Sequence, residues 1–175
     1  ITPEQARTGA TLSIPAGAKV TYARLYWSAL KVGATADKNV ALDWKGGPIQ
    51  TVNADDSWSM SYGFASHPDW YYYQSSADVT DYVAKWGSGD FRVTGVEALP
   101  LVGVEVDRAF SAWSMVVFYE KLGDELRNLA LFDGFTSIDP GIAGQEKAEV
   151  TLSGFLVPTG FTAKMTAFTY EGDTV

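Results

Sequence analysis

The stretch that decides the fold is residues 20–32, VTYARLYWSALKV, a long run of β-branched and aromatic residues interrupted by small and polar ones. Three further runs have the same character: residues 112–121 (AWSMVVFYEK), 126–138 (LRNLALFDGFTSI) and 161–170 (FTAKMTAFTY). Val, Tyr, Phe, Trp and Thr favour strands, and the Gly, Pro and Asp residues between the runs favour turns. The pattern predicts an all-β, antiparallel β-sandwich.

Residues 20–32 carry apolar side chains on both faces of the expected strand. Tyr22 and Tyr26 would lie on one face, and Leu25 and Trp27 on the other, because side chains alternate along a strand. A strand of this kind is expected at the centre of a sheet, covered from both sides.

The sequence predicts about ten strands and one helix in all. Lys45-Gly46-Gly47-Pro48 is a hairpin turn between two of the strands. Residues 54–58 read as a loop because polar and acidic residues surround a single tryptophan. The shorter strands expected are residues 11–14, 39–44, 49–53, 71–74, 91–96 and 147–156.

The predicted helix covers residues 78–86, DVTDYVAKW. Asp78 can cap its N-terminus by accepting hydrogen bonds from the first-turn N–H groups. We expect this helix to cover one end of the sandwich. Its apolar residues recur at helical spacing: Val79, Tyr82, Val83 and Trp86.

Length and charge limit the class of protein and its partners. A chain of 175 residues suits one sandwich domain over residues 1–175, large enough to fold without a disulfide or a metal. The net charge of -8 argues against nucleic acid and against an anionic membrane surface as partners. No apolar run reaches the roughly 18–20 residues of a membrane span, so we expect no direct membrane insertion.

The side chains available for catalysis are few. The chain has no cysteine and a single histidine, His67, in a His-Pro-Asp-Trp turn, and it has no G-x-S-x-G motif. Paired carboxylates would suffice for a glycosidase. The candidates are Glu120, Asp133, Glu171 and Asp173. The alternative, which we favour, is that these acids form turns or pair with Arg24, Arg108 and Arg127.

Residues 54–76 hold two tryptophans and three consecutive tyrosines without any Lys or Arg. Aromatic rings stack on sugar rings, and Asp, Asn and Gln side chains accept hydrogen bonds from hydroxyls. The stretch therefore suggests a carbohydrate site, although the same rings would also suit an aromatic cluster that closes the end of the core. The candidate ligand-binding residues are Trp58, Trp70, Tyr71, Tyr73 and Asp69.

No motif in the sequence requires a cofactor. Calcium is the metal that residues 54–76 are best suited to bind. Calcium takes carboxylate and carbonyl oxygens from loops. Asp55 and Asp56 are the candidate ligands, with Asp69 in the same region. An ordinary solvated acidic loop is the alternative.

Six strings occur in a fixed order along the chain: ARLYW at 23–27, DVTDYV at 78–83, AWSMVVFYE at 112–120, RNLALFDGF at 127–135, LSGF at 152–155 and YEGD at 170–173. Together they resemble an uncharacterised β-sandwich module of large bacterial secreted and cell-surface proteins, often adhesin-like. The resemblance spans about residues 20–173 and implies a jelly-roll-like sandwich and an exported location, with no catalytic residues to transfer.

Together these observations predict a non-catalytic adhesion or binding module, secreted or on the cell surface, and part of a longer exported protein. Its expected partners are a glycan or a surface protein, and neighbouring domains of the same chain. Two alternatives stay open: a structural spacer in a surface fibre, and a carbohydrate-active enzyme that uses paired carboxylates.

Overall fold

The computed structural model describes residues 7–100, 109–139, 141, 144–155, 159–160 and 162–170. The chain divides into two compact units, one formed by Ile1–Asp124 with Tyr170–Val175 and the other by Glu125–Thr169. The expectation of a single domain over residues 1–175 stays a prediction.

The first unit has the all-β composition that the sequence predicts. Its elements are β1 Thr8–Leu12, β2 Ala18–Val32, β3 Asn39–Trp44, β4 Gln50–Asn53, β5 Asp56–Ser61, β6 Trp70–Asp78, the short helix α1 Thr80–Trp86, β7 Gly89–Thr94 and β8 Ser111–Lys121. The strands form two four-stranded sheets, both antiparallel, with the orders β1-β7-β3-β4 and β5-β6-β2-β8.

The predicted central strand is β2, which pairs with β6 along one edge and with β8 along the other. Residues on both of its faces are buried, as the sequence predicts. One face carries Ala23, Leu25, Trp27 and Ala29, and the other carries Arg24, Tyr26, Ser28 and Leu30.

Buried residues of both sheets and of α1 form one hydrophobic cluster, so the fold is sandwich-like. From the second sheet it includes Leu25 and Trp27, from the first sheet Leu42 and Phe91, and from the helix Val83. Burial of these side chains is the main source of stability in such a fold.

The two sheets are also connected along their sides. On one side the chain passes directly from β4 to β5 through Ala54 and Asp55. On the other side the Trp113 side-chain Nε1 in β8 donates to Thr8 Oγ1 in β1 at 2.7 Å. Edge strands of both sheets are therefore held next to each other.

Helix α1 begins two residues later than predicted, because β6 continues to Asp78. The Asp78 carboxylate still accepts a hydrogen bond from the Thr80 N–H at 2.8 Å, although Val79 occupies the N-cap position. The helix ends at Gly87, whose φ of 64° is one that glycine adopts readily and whose N–H donates to Val83 O.

Two local predictions were wrong. The structure places β5, Asp56–Ser61, where a loop was expected from residue 54 to residue 58. Its alternating serines hid the strand pattern, because their small polar side chains do not mark a buried face. Strand β6 is also longer than the predicted residues 71–74, because its second half consists of small residues whose burial the composition does not signal.

In the second unit, Glu125–Thr169, no strand or helix is assigned to the described residues. The strands predicted at residues 126–132, 147–156 and 161–170 are therefore not confirmed. A run of apolar residues indicates side chains that are stable when buried. A strand also needs a neighbouring strand to form hydrogen bonds with, and the run itself does not provide one. Large apolar side chains remain exposed in this unit: Leu126, Leu129, Phe132, Ile138, Val150, Leu152, Phe155, Met165 and Phe168.

We expect Leu25→Ala to lower the free energy of unfolding by about 2–5 kcal/mol, because it opens a cavity in the cluster between the sheets. Leu122→Ala is the control, since Leu122 is fully exposed, and it should change the free energy by less than about 0.5 kcal/mol. Urea unfolding followed by tryptophan fluorescence measures both. Equal effects of the two substitutions would contradict the sandwich-like core.

Candidate ligand-binding face

The side of the second sheet that faces away from the core cluster is called the outer face here. Directly opposite residues of antiparallel strands lie on the same side of a sheet, so the register defines its members. Among them are Arg24, Tyr26, Ser28, Leu30 and Val32 of β2, Asp56, Trp58 and Met60 of β5, and Trp70, Tyr72, Gln74 and Ser76 of β6.

One end of the outer face is an aromatic cluster around Tyr62. The Tyr62 ring centroid lies 4.7 Å from that of Phe64, 5.6 Å from that of Trp70 and 5.6 Å from that of Tyr72. The His67 ring stacks on Trp70 with centroids 3.7 Å apart and an angle of 13°. The rings thus support one another through offset contacts, which hold their orientation.

The cluster continues through residues that are distant in sequence. Phe110 stacks on Tyr72 at 6.0 Å, and Tyr170 stacks on Phe110 at 5.7 Å. Tyr170 also shares a hydrogen bond of 3.2 Å with Ser114 Oγ. Sequence reasoning did not connect Phe110 and Tyr170 with this region, and no local pattern could have done so.

The predicted ligand-binding aromatics are divided between the two faces of the sheet. Trp58 and Trp70 are half-buried and lie on the outer face. Tyr71 and Tyr73 share one face, as the sequence predicts, but it is the face toward the core. The four rings therefore do not form one surface.

Tyr73 requires a correction, because its side chain is 0 % exposed and belongs to the core cluster. Its hydroxyl donates to the backbone carbonyl of Glu97 at 2.9 Å. A ring with no accessible surface cannot stack on a ligand, so Tyr73 is a structural residue. Its pKa is raised, mainly by burial and further by the nearby carboxylates of Asp37 and Glu97.

Asp55 and Asp56, the candidate calcium ligands, both contact Arg24. The Arg24 guanidinium donates to Asp56 Oδ2 at 2.6 Å and to Asp55 Oδ2 at 3.5 Å. It also donates to Ser76 Oγ at 2.9 Å, while Asp55 Oδ2 accepts the Asp78 N–H at 2.7 Å. Because only 8 % of Arg24 is exposed, these acceptors balance a charge that is largely removed from water.

Asp69 is not brought to this pair of acids. It directly precedes β6, whereas Asp56 pairs with Ser76 near the other end of that strand. Six residues of strand separate the two places by about 20 Å. Among the described residues no group of three or more His, Cys, Asp or Glu side chains could hold a metal ion. Calcium binding at Asp55 and Asp56 stays a prediction.

The two described carboxylates that were considered for catalysis belong to different units, Glu120 to the first and Asp133 to the second. Glu120 is exposed and lies 3.6 Å from Lys19 Nζ, a surface pair of little energetic weight. Asp133 and Arg127 are exposed within the second unit. Glu171, Asp173 and Arg108 lie outside the described residues.

Two exposed carboxyl groups have lowered pKa values. The hydrogen bond from Thr11 Oγ1 is the largest cause for Asp90, and Lys45 acts in the same direction. For Glu146 the cause is hydrogen bonding to the backbone N–H groups of Glu146 and Gly144. Both carboxyl groups therefore ionise more readily than usual, because their hydrogen bonds stabilise the charged form.

Comparison with known proteins gives no relative for this chain. No protein-family model matches it, and no curated protein or solved structure is significantly similar to it. In the part of the chain that the structure describes, no helix is long and apolar enough to cross a membrane.

The buried tyrosine predicts an alkaline limit to stability. Because the pKa of Tyr73 is raised in the folded state, its contribution is fully present below about pH 10 and is lost as the pH rises further. We expect the free energy of unfolding to fall above about pH 10, and to fall less steeply in Tyr73→Phe.

Denaturant unfolding between pH 7 and pH 11 tests this expectation. Tyr73→Phe should cost about 1 kcal/mol at pH 7 through the lost hydrogen bond to Glu97. Tyr119→Phe, at an exposed position, is the matched control. An unchanged slope in Tyr73→Phe would contradict the burial of the hydroxyl.

Proposed function

We propose that this chain is a non-catalytic binding module of a secreted or cell-surface protein, and that it binds glycans on the outer face through Trp58 and Trp70. The observation that carries the proposal is the placement of these two half-buried indoles on the same face of neighbouring strands. Trp58 is opposite Gln74, four strand residues from Trp70, which corresponds to about 13 Å. This spacing suits an oligosaccharide better than a single sugar.

The surface between the two indoles has the composition of a sugar-binding surface. Met60 and Tyr72 are directly opposite each other there and supply apolar area. Gln74, directly opposite Trp58, is the polar residue of this stretch and is only 8 % exposed. A mainly apolar and aromatic lining with a few polar groups is typical of small-ligand sites.

The rings at the Trp70 end are held before any ligand arrives. Trp70 packs against Tyr62 and His67. Ser28 Oγ donates to the Tyr73 carbonyl at 2.5 Å and joins β2 to β6 beneath this surface. Rigid aromatic side chains lose little conformational entropy on binding, which favours affinity.

Charge favours neutral glycans over acidic ones. The chain carries a net charge of -8, so its field repels anionic sugars at long range. Arg24, the cation on the outer face, is occupied by Asp55 and Asp56.

The finer architecture and setting belong to the same proposal. A jelly-roll-like sandwich of about ten strands is supported by the two antiparallel sheets. Export as one module of an adhesin-like chain is supported by the resemblance of the strings at residues 23–27 and 112–120.

Binding to an array of neutral oligosaccharides tests the proposal. We expect Trp58→Ala and Trp70→Ala each to weaken binding at least tenfold, because truncating an aromatic residue that dominates a binding surface costs about 2 kcal/mol or more. Tyr71→Ala is the matched control, since Tyr71 adjoins Trp70 in sequence but lies on the opposite face. Its affinity should stay within about twofold of the parent.

Absence of binding to any neutral oligosaccharide, with calcium present, would contradict the glycan assignment and favour a protein partner or a spacer role. Equal losses in Tyr71→Ala and Trp58→Ala would show that fold stability, and not the outer face, sets the affinity. Circular dichroism of each variant separates these two cases.

A further inference from the structure

A cleft of about 360 Å³ lies between the β3–β4 turn and helix α1. The turn contributes Pro48, Ile49 and Gln50 to it. The helix contributes Asp81 and Lys85 on successive turns, together with Tyr82 and Trp86. Its volume lies at the lower end of the range of small-ligand sites, about 300–1,000 Å³.

The two walls of the cleft are fixed to each other. The Tyr82 hydroxyl donates to the Pro48 carbonyl at 2.8 Å and accepts the Trp44 N–H at 2.9 Å. The Trp86 indole stacks on Trp44 with centroids 5.0 Å apart and an angle of 15°. The turn and the helix that form the cleft are therefore held against each other before any ligand binds.

A glycine allows the turn to lie against the indole. A Cβ atom at Gly47 would be 3.1 Å from Trp86 Cζ2 and 3.2 Å from the Trp44 carbonyl oxygen. A side chain at this position would require the Trp86 ring or the Trp44 carbonyl to move by a few tenths of an ångström, so glycine suits the close approach of the turn to the indole.

Most polar side chains of the cleft, unlike Tyr82, have no hydrogen-bond or ion-pair partner within the described part of the chain. The side chains of Gln50, Asp81 and Lys85 take part in no hydrogen bond or ion pair there, and Lys85 Nζ lies 5.3 Å from the Trp86 ring centroid. The Trp86 Nε1 atom is buried, also without a hydrogen-bond partner among the described residues. The Asp81 carboxylate, the Lys85 ammonium and the Gln50 amide thus remain able to form hydrogen bonds with a ligand.

We infer that this cleft binds one neutral sugar ring, at a site separate from the outer face. Asp81 can accept from sugar hydroxyls, Lys85 can donate to them, and Gln50 can do both. Ile49, 61 % exposed, and the half-buried indole of Trp86 give the ring an apolar surface. The opposite charges of Asp81 and Lys85 cancel, so the cleft has no preference for an ionised ligand.

The inference does not rest on the proposed function. The cleft is built from a turn of the first sheet and from α1, whereas Trp58 and Trp70 lie on the outer face of the second sheet. A substitution in one site leaves the residues of the other unchanged. The two assignments can therefore fail independently.

Titration of the ¹⁵N-labelled chain with glucose, galactose, mannose and N-acetylglucosamine, followed by NMR, tests the inference. We expect at least one sugar to shift the Trp86 indole N–H and the Ile49 amide signals saturably. The dissociation constant should be on the order of millimolar, as for other ligands of so few atoms. Trp86→Phe assigns the indole signal.

Asp81→Ala and Gln50→Ala should each weaken this binding at least fivefold. Asp124→Ala, an exposed acid outside the cleft, and Trp58→Ala should leave it within about twofold. No saturable shift with any of the four sugars would overturn the inference, as would shifts that persist in Asp81→Ala and Gln50→Ala. Tighter binding of glucuronic acid than of glucose would overturn the assignment to a neutral sugar.

Discussion

The double pairing of β2 is the constraint on which the rest of the first unit depends. Its 15 residues form a ladder with β6 on one edge and with β8 on the other, so neither neighbour can shift without breaking hydrogen bonds. A slip of one residue would move every side chain to the opposite face. Trp27 would then leave the core, and the guanidinium of Arg24 would enter it.

The register of β2 also decides where the candidate ligand-binding rings lie. Leu30 is opposite Tyr72 and Val32 is opposite Trp70, which places both rings on the outer face. The same register sends Tyr73 inward, where its hydroxyl reaches the Glu97 carbonyl. Three consecutive tyrosines therefore have different roles, because alternation along β6 gives them different surroundings.

The three tyrosines of β6 show which parts of the structure can be predicted from the sequence and which cannot. The apolar character of both faces of residues 20–32 identified the central strand, and helical spacing identified α1 to within two residues. The identity of the inner face of β6 could not be read from Tyr71-Tyr72-Tyr73, because tyrosine suits either side of a sheet equally well. Only the partner strand decides it.

The candidate sites were recognised in part, for the same reason. The aromatic content of residues 54–76 pointed to Trp58 and Trp70, which the structure places on one face. Phe110 and Tyr170 extend the aromatic cluster from distant positions that no local pattern connects with it. No sequence pattern indicates the cleft beside Trp86, because its residues have the spacing of an ordinary turn and an ordinary helix.

The two ends of the outer face have different chemistry: one end contributes to the stability of the fold through ion pairs, and the other is suited to ligand binding through aromatic rings. At one end Arg24 is buried and must keep its acceptors Asp56 and Ser76, because an unpaired guanidinium there would be costly. At the other end Trp70 and Tyr62 contact each other through apolar rings that tolerate a new neighbour without losing a hydrogen bond. A ligand that covers apolar rings removes water at little polar cost, whereas one that covers the Arg24 end must compete with ion pairs. The aromatic end is therefore the part of this face at which a ligand can replace water at the lowest cost in free energy.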